Sequence, residues 1–229
     1  MELIYLLYDI ILLWSKQDRP TPIFFKGVVL NLQGFKFRKN YISYYIMEEC
    51  LIDMHKILTE NNIEFFLTYG TLLGQYRNND FIQHDLDIDL GIFSKNFHAR
   101  IVNIILSSNK FYLKYKQLGD PKDSLEYTFY HKNKCTIDIF FFYPVNENTN
   151  DNFYYASSHY GLCDAKKEGF CKWGNHIRGL KQIKFKNRFF NIPINVEEFL
   201  EERYGKDWKI PKKFTYLEGI ENGYKNLIN

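Results

Sequence analysis

Between Asp85 and Leu90 the chain alternates acid and apolar residues, Asp85-Leu86-Asp87-Ile88-Asp89-Leu90, and no other segment narrows its possible folds as much. In a β-strand successive side chains point to opposite faces. Leu86, Ile88, Leu90 and Ile92 can therefore enter a core while three carboxylates line up on the other side. Like charges two residues apart repel one another unless a cation or a metal-bound polyphosphate neutralises them. A calcium-binding EF-hand loop also begins Asp-x-Asp-x-Asp, but it needs Gly at its sixth position and Glu at its twelfth. Here those positions hold Leu90 and Asn96, which excludes it. A solvated acidic edge strand is the competing structural reading.

Upstream, Ile63 to Thr68 is a short apolar run that breaks at Tyr69-Gly70-Thr71 ahead of Leu72 to Arg77, which reads as strand, glycine turn, helix. A helix that starts at a glycine turn presents free N–H groups and a positive dipole end, a natural cradle for phosphate. Beside an Asp-x-Asp strand it describes a site for a nucleotide diphosphate held through a divalent ion. A further acid, Asp138, lies inside the apolar run Cys135 to Tyr143. Burying a carboxylate there costs several kcal/mol unless it is paired or ligates a metal. Its partner is either a lysine such as Lys132 or Lys134, or a metal shared with Asp87 and Asp89.

Taken together, Tyr69-Gly70-Thr71-Leu72-Leu73-Gly74 with Arg77, Phe81-Ile82, the Asp85-x-Asp87-x-Asp89 run, Asp123 to Glu126, Ile137 to Tyr143, Ile192-Pro193 and Glu202 to Pro211 resemble the LicD/fukutin family over about residues 40 to 215. The family commonly has Trp before the first aspartate and an acid after it. Here Gln83-His84 and Leu86 stand there, which leaves the Asp87/Asp89 pair intact, and His84 is either a substrate contact or a local partner of Asp85. The resemblance implies a nucleotidyltransferase fold. It also implies a metal-dependent transferase that moves phosphocholine, ribitol phosphate or a similar phospho-alcohol from a CDP-linked donor to a hydroxyl of a glycan or glycolipid acceptor, releasing CMP. Asp87, Asp89 and Asp138 are the expected catalytic residues and ligands of Mg2+ or Mn2+, with Asp138 either completing the metal cluster or taking the acceptor proton. Gly70, Thr71, Arg77 and Asp85 are the expected substrate contacts, Arg77 as an electrostatic clamp or else as a partner of Asp80 or Asp85. Two rivals share the motifs: a nucleotidyltransferase acting on a sugar phosphate or small molecule, and a non-catalytic glycan-binding module. The long membrane-anchored stalk of animal fukutins has no counterpart, so the expectation is a catalytic domain standing nearly alone.

Composition separates broader classes. With 30 basic and 27 acidic residues the net charge of +3 does not suit a nucleic-acid partner. Cys50, Cys135, Cys163 and Cys171 show no C-x-x-C spacing, so neither a zinc ribbon nor a disulfide framework is indicated, and a cytoplasmic protein with reduced thiols is expected. Residues 3–14 form an apolar run broken only by Asp9, short of the roughly 20 residues that span a bilayer. They read as a helix that, with its linker through residue 40, packs on the domain, or as a peripheral membrane contact; residues 41–229 form the catalytic domain.

Elsewhere Ile42, Ile46, Cys50, Met54 and Ile57 keep helical spacing up to Asn61-Asn62. Residues 95–107 are expected as a helix, residues 112–118, 125–131 and 135–143 as strands, and 146–179 as an irregular insertion over the site. Lys184, Lys186 and Arg188 are placed on one strand face, and Val196 to Tyr204 forms a helix ended by Gly205. Helices alternating with strands, then a hairpin, give an α/β (α+β) protein with a mixed β-sheet flanked by helices.

Overall fold

A computed structural model describes residues 23–25, 28–30, 39–83, 85, 87–97, 99–114, 119–133, 135–146, 151–158 and 171–211. Two compact units divide the chain, Met1–Lys39 and Asn40–Asn229. In the first, β1 (Ile23–Phe25) pairs antiparallel with β2 (Val28–Leu30). The apolar run 3–14 and His84 lie outside the described residues, as does residue 134.

The second unit opens with α1 (Lys39–Glu60), whose Met47, Cys50, Leu51, Met54 and Leu58 recur at helical spacing and are buried. Asn62 ends it in the left-handed region (φ 55°), and the Ile63 N–H bonds back to the Leu58 carbonyl at 2.9 Å. After β3 (Phe66–Leu67) come α2 (Tyr69–Asn78), β4 (Asp87–Phe93), a 3-10 turn at Ser94–Asn96 and α3 (Ile101–Ser107). Then follow β5 (Phe111–Leu113), β6 (Glu126–His131), β7 (Thr136–Pro144), β8 (Phe153–Ser158), β9 (Cys171–His176), β10 (Leu180–Phe185), β11 (Arg188–Pro193) and α4 (Val196–Tyr204).

Among the described residues the sheet order is β10-β11-β3-β4-β7-β6-β5, with β8 pairing the end of β7 and β9 pairing β8. β4 lies parallel to β7, and β11 parallel to β3; the other neighbours are antiparallel. The expected mixed sheet with flanking helices is therefore what forms. Both central strands, β4 and β7, are buried nearly throughout, as strands covered on both faces must be.

Several boundaries differ from expectation. The insertion contains a hairpin, β8 with β9, because Ala156 and Trp173, with Tyr154 and Tyr155, offer apolar surface that pairing buries. Lys186 and Asn187 take positive φ (46° and 59°), so the chain reverses there; Lys184 lies inside β10, which ends at Phe185, Arg188 begins β11, and the three basic residues share no single face. Lys186 instead reaches Asp80, its Nζ 2.6 Å from Oδ1. The helix expected from residue 95 is split by the 3-10 turn, and α2 begins two residues before Thr71, at Tyr69.

Gly91 on β4 lets the aromatic core close: a Cβ there would sit 2.4 Å from Phe66 Cζ and 2.9 Å from Phe142 Cε2, both rings fully buried. Gly91→Ala is expected to lower stability by about 1–3 kcal/mol through overpacking, read from the urea midpoint at unchanged m-value.

Candidate active site

The joint between β3 and α2 grips the acidic strand. Thr68 N–H donates to the Asp89 carbonyl at 3.2 Å, Gly70 N–H to Asp89 Oδ2 at 2.8 Å, and the Asp89 N–H to Thr71 Oγ1 at 2.9 Å. Between them Tyr69 is forced to φ +39°, a left-handed conformation that costs a non-glycine residue roughly 1–2 kcal/mol. Burial of its ring against Phe140 (centroids 5.0 Å apart) and Trp173 (5.6 Å) offsets that strain. Position 70 admits only glycine without displacing the acids, since a Cβ would lie 2.5 Å from Asp85 Oδ2 and 3.0 Å from Asp89 Oδ2.

The parallel register of β4 and β7 sets Asp89 beside Asp138, with Thr128 of β6 on the far side of Asp138. Asp89 is 9% exposed and Asp138 1%. Asp87, one step outward, is pushed up to about 8 by burial and then by its hydrogen bond to Asp85 and that residue's charge. Asp89 rises well above the carboxylate range, through burial first and then through Asp87, Asp85 and Asp138. An all-oxygen donor set whose members resist ionising together suits a hard divalent cation such as Mg2+ or Mn2+, which would favour the ionised forms. The space at Gly70 that a Cβ would fill, bordered by the Asp85 and Asp89 carboxylates, leaves room beside these oxygens for such an ion.

Asp85, Asp87 and Asp89 line a cavity of about 370 Å³. Gly70, Asp85, Asp87 and Asp89 contribute to its lining from one part of the chain, and Phe140, Trp173, Arg203 and Tyr204 from others. Arg203, 7% exposed, sits with its guanidinium carbon 4.3 Å from the Trp173 ring centroid and 5.3 Å from that of Tyr69. The Trp173 indole N–H donates to the Tyr69 hydroxyl at 2.5 Å.

Of the residues singled out from the sequence, Gly70, Asp85, Asp87 and Asp89 meet in this cavity, and Asp138 stands next to Asp89 within the sheet. Gly70 and Thr71, expected on phosphate, are turned toward Asp89. Arg77 is not among the residues lining the cavity: it sits seven residues beyond Gly70 on α2, roughly 10 Å along a helix rising 1.5 Å per residue. Burial lowers its guanidinium, and the nearby charge acting on it is the Tyr204 hydroxyl. Four residues have no site role in the sequence reading: Glu126, Arg203 and Tyr204, which lie in segments that carry the resemblance, and Trp173. Glu126 is 1% exposed and shares a sheet face with Asp138 through the β6–β7 register. An acid inside an apolar strand was its available signal, the same one that marked Asp138.

Among the described residues, the metal-type side chains whose ligand atoms all lie within 4.8 Å of one another are Glu49 with Asp53 and His131, and His176 with Glu198 and Glu202; Asp87, Asp89 and Asp138 do not form such a group. Each of the two groupings has its own counter-charge. Lys110 Nζ lies 2.5 Å from Asp53 Oδ1, and Arg178 grips Glu198 through Nε (2.9 Å) and Nη2 (2.7 Å), which holds Glu198 down to about 2. They read as structural ion pairs.

Residues 62–195 match the family model described as LicD/FKTN/FKRP, nucleotidyltransferase domain. Among curated relatives, a ribitol-5-phosphate transferase FKTN from Macaca fascicularis is 31% identical over 191 residues, covering 80% of this chain and 36% of that protein. The Homo sapiens FKTN is 30% identical over 167 residues, covering 69% and 32%. The chain thus spans about a third of the length of these relatives. Among solved structures, the lincomycin-bound lincosamide antibiotic adenylyltransferase LnuA aligns with a TM-score of 0.40 at 12% identity, over 78% of this chain and 94% of that one.

The raised acids give the metal-free protein a definite pH response. Because the folded value of Asp87 lies above its unfolded value of about 3.9, the stability it brings is complete below about pH 4 and is lost as pH climbs through about 8. Melting temperature in chelator is expected to fall between pH 5 and 8.5. Added Mn2+ should remove most of that slope, and Asp87→Asn in chelator should remove the part that Asp87 contributes.

Proposed function

The chain belongs to the LicD/FKTN/FKRP nucleotidyltransferase family, and from that membership we propose that it is a metal-dependent transferase moving a phospho-alcohol from a CDP-linked donor to a glycan hydroxyl, with release of CMP. The observation that carries this reading is the register of β4 against β7, which gathers Asp89 and Asp138 beside Asp87 and Asp85 at a cavity. The family resemblance to ribitol-5-phosphate transferases makes ribitol phosphate the first donor group to try.

Asp87 and Asp89, with Asp138 adjoining, would hold Mg2+ or Mn2+, which when bound supplies charge neutralisation at the donor diphosphate and at the departing CMP. Asp89 is fixed through backbone and side chain by Thr68, Gly70 and Thr71, so its carboxylate keeps one orientation through the reaction. The acceptor oxygen forms a bond to the distal phosphorus, the bond from that phosphorus to the CMP oxygen breaks, and the hydroxyl proton passes to a carboxylate. Asp138 either takes this proton or completes the ion's ligand set. Phe140 and Trp173 line the cavity as apolar wall that limits water at the reacting centre.

The test incubates the protein with CDP-ribitol, CDP-choline and CDP-glycerol in Mn2+ and reads CMP. Metal-dependent CMP release is expected; pyrophosphate from CTP or ATP with no CMP from any CDP-alcohol would replace this reading with nucleotidyl transfer. Asp89→Asn is expected to cut CMP release by about a hundredfold or more while the melting temperature in chelator holds or rises, because a charge leaves a repulsive cluster. For Asp138→Asn the metal dependence separates two roles. A higher Mn2+ requirement with partial recovery at excess metal marks a ligand, and unchanged metal affinity with turnover lowered by about a hundredfold marks a base.

A further inference from the structure

We infer that Arg203, and not Arg77, is the residue that binds the donor's diphosphate, held for that task by stacking on Trp173 and Tyr69; this rests on the transferase reading above. Four acids stand in or beside the cavity, and an anionic donor cannot enter a chamber of one sign. An arginine offers a planar, cationic fork of N–H donors that matches phosphate oxygens. The Arg203 guanidinium lies against Trp173 at 4.3 Å and Tyr69 at 5.3 Å, and the cavity it lines is the one that Asp85, Asp87 and Asp89 line.

The chamber is therefore dipolar. Carboxylates come from β4 and the segment before it, and the guanidinium comes from the last turn of α4. A metal–diphosphate complex has the matching polarity, its cation toward the acids and its outer phosphate oxygens toward the arginine. Stacking also fixes the plane of the fork, so little side-chain entropy remains to be lost when two phosphate oxygens are bound side by side. The Trp173 N–H to Tyr69 hydroxyl bond locks the two rings together, and Tyr69 is itself the strained residue next to Gly70. The clamp and the acid cradle thus share one side chain.

Inorganic pyrophosphate and CDP are the probes, titrated calorimetrically into the 229-residue chain at saturating Mn2+. Wild-type protein is expected to bind both. Arg203→Ala should weaken both by about thirtyfold or more, with Mn2+ affinity in the absence of anion unchanged or higher. Arg203→Lys keeps the charge but loses the fork, and should recover only part of the loss. Circular dichroism and melting confirm that each variant is folded; should the alanine variant fail to fold, the lysine variant decides, because full pyrophosphate affinity in it removes the claim for a planar clamp. Equal anion binding by wild type and folded Arg203→Ala overturns the inference. Binding of pyrophosphate that depends on Arg203, with no added affinity for CDP, supports the clamp and counts against the CDP-linked donor. Binding of neither probe by the wild type overturns both.

Discussion

Crowded negative charge is the condition that the centre of this protein is arranged around. β4 carries Asp87 and Asp89 into a sheet buried on both faces, and its parallel neighbour β7 brings Asp138 alongside. Water cannot relieve the repulsion there, so the surroundings must. Backbone N–H groups from the β3–α2 joint reach Asp89, the left-handed Tyr69 makes that reach possible, and Gly70 leaves room for the Asp85 carboxylate. What remains unrelieved appears as proton affinity in Asp87 and Asp89. A site that holds protons when empty is one that a divalent cation can take over.

The aromatic side chains that cover this centre also set its chemistry. Tyr69, Phe140, Trp173 and Phe199 pack around one another within about one ring diameter, and Arg203 is inserted among them. A rigid apolar wall on one side and hydrogen-bonded carboxylates on the other leave few soft degrees of freedom. The outlying ion pairs do different work: Lys110 with Asp53 joins the β5 end of the sheet to α1, and Arg178 with Glu198 ties the end of β9 to α4.

How much of this was legible in the sequence follows the range of the interactions. The Asp-x-Asp alternation fixes which faces of β4 are polar and apolar from local geometry alone, and the Gly70 turn is a local signal too. Asp138 announced itself because an acid in an apolar run needs a reason. Arg203, inside the Glu202 to Pro211 segment that carries the resemblance, and Trp173 had nothing local to mark them as site residues. Each sits in a segment whose own pattern is satisfied, a helix end and a short strand, and only the sheet order and the packing of α4 bring them to the acids. The position of Lys186 has a smaller cause: two successive residues at positive φ reverse the chain where the sequence alone reads as an uninterrupted strand.

The parallel pairing of β4 with β7 joins residues far apart in the chain. Asp87 faces Thr136, a separation of 136 − 87 = 49 positions, and α3, β5 and β6 lie between. Closing a loop of that length must precede any contact that rewards it, which makes such pairing slow relative to hairpins and helices. During synthesis, the segment ending at Phe93 emerges with its acids in place but without the strand that completes their setting. The acidic centre is thus a late product of folding, and a chain truncated before β7 has the Asp-x-Asp sequence without the site.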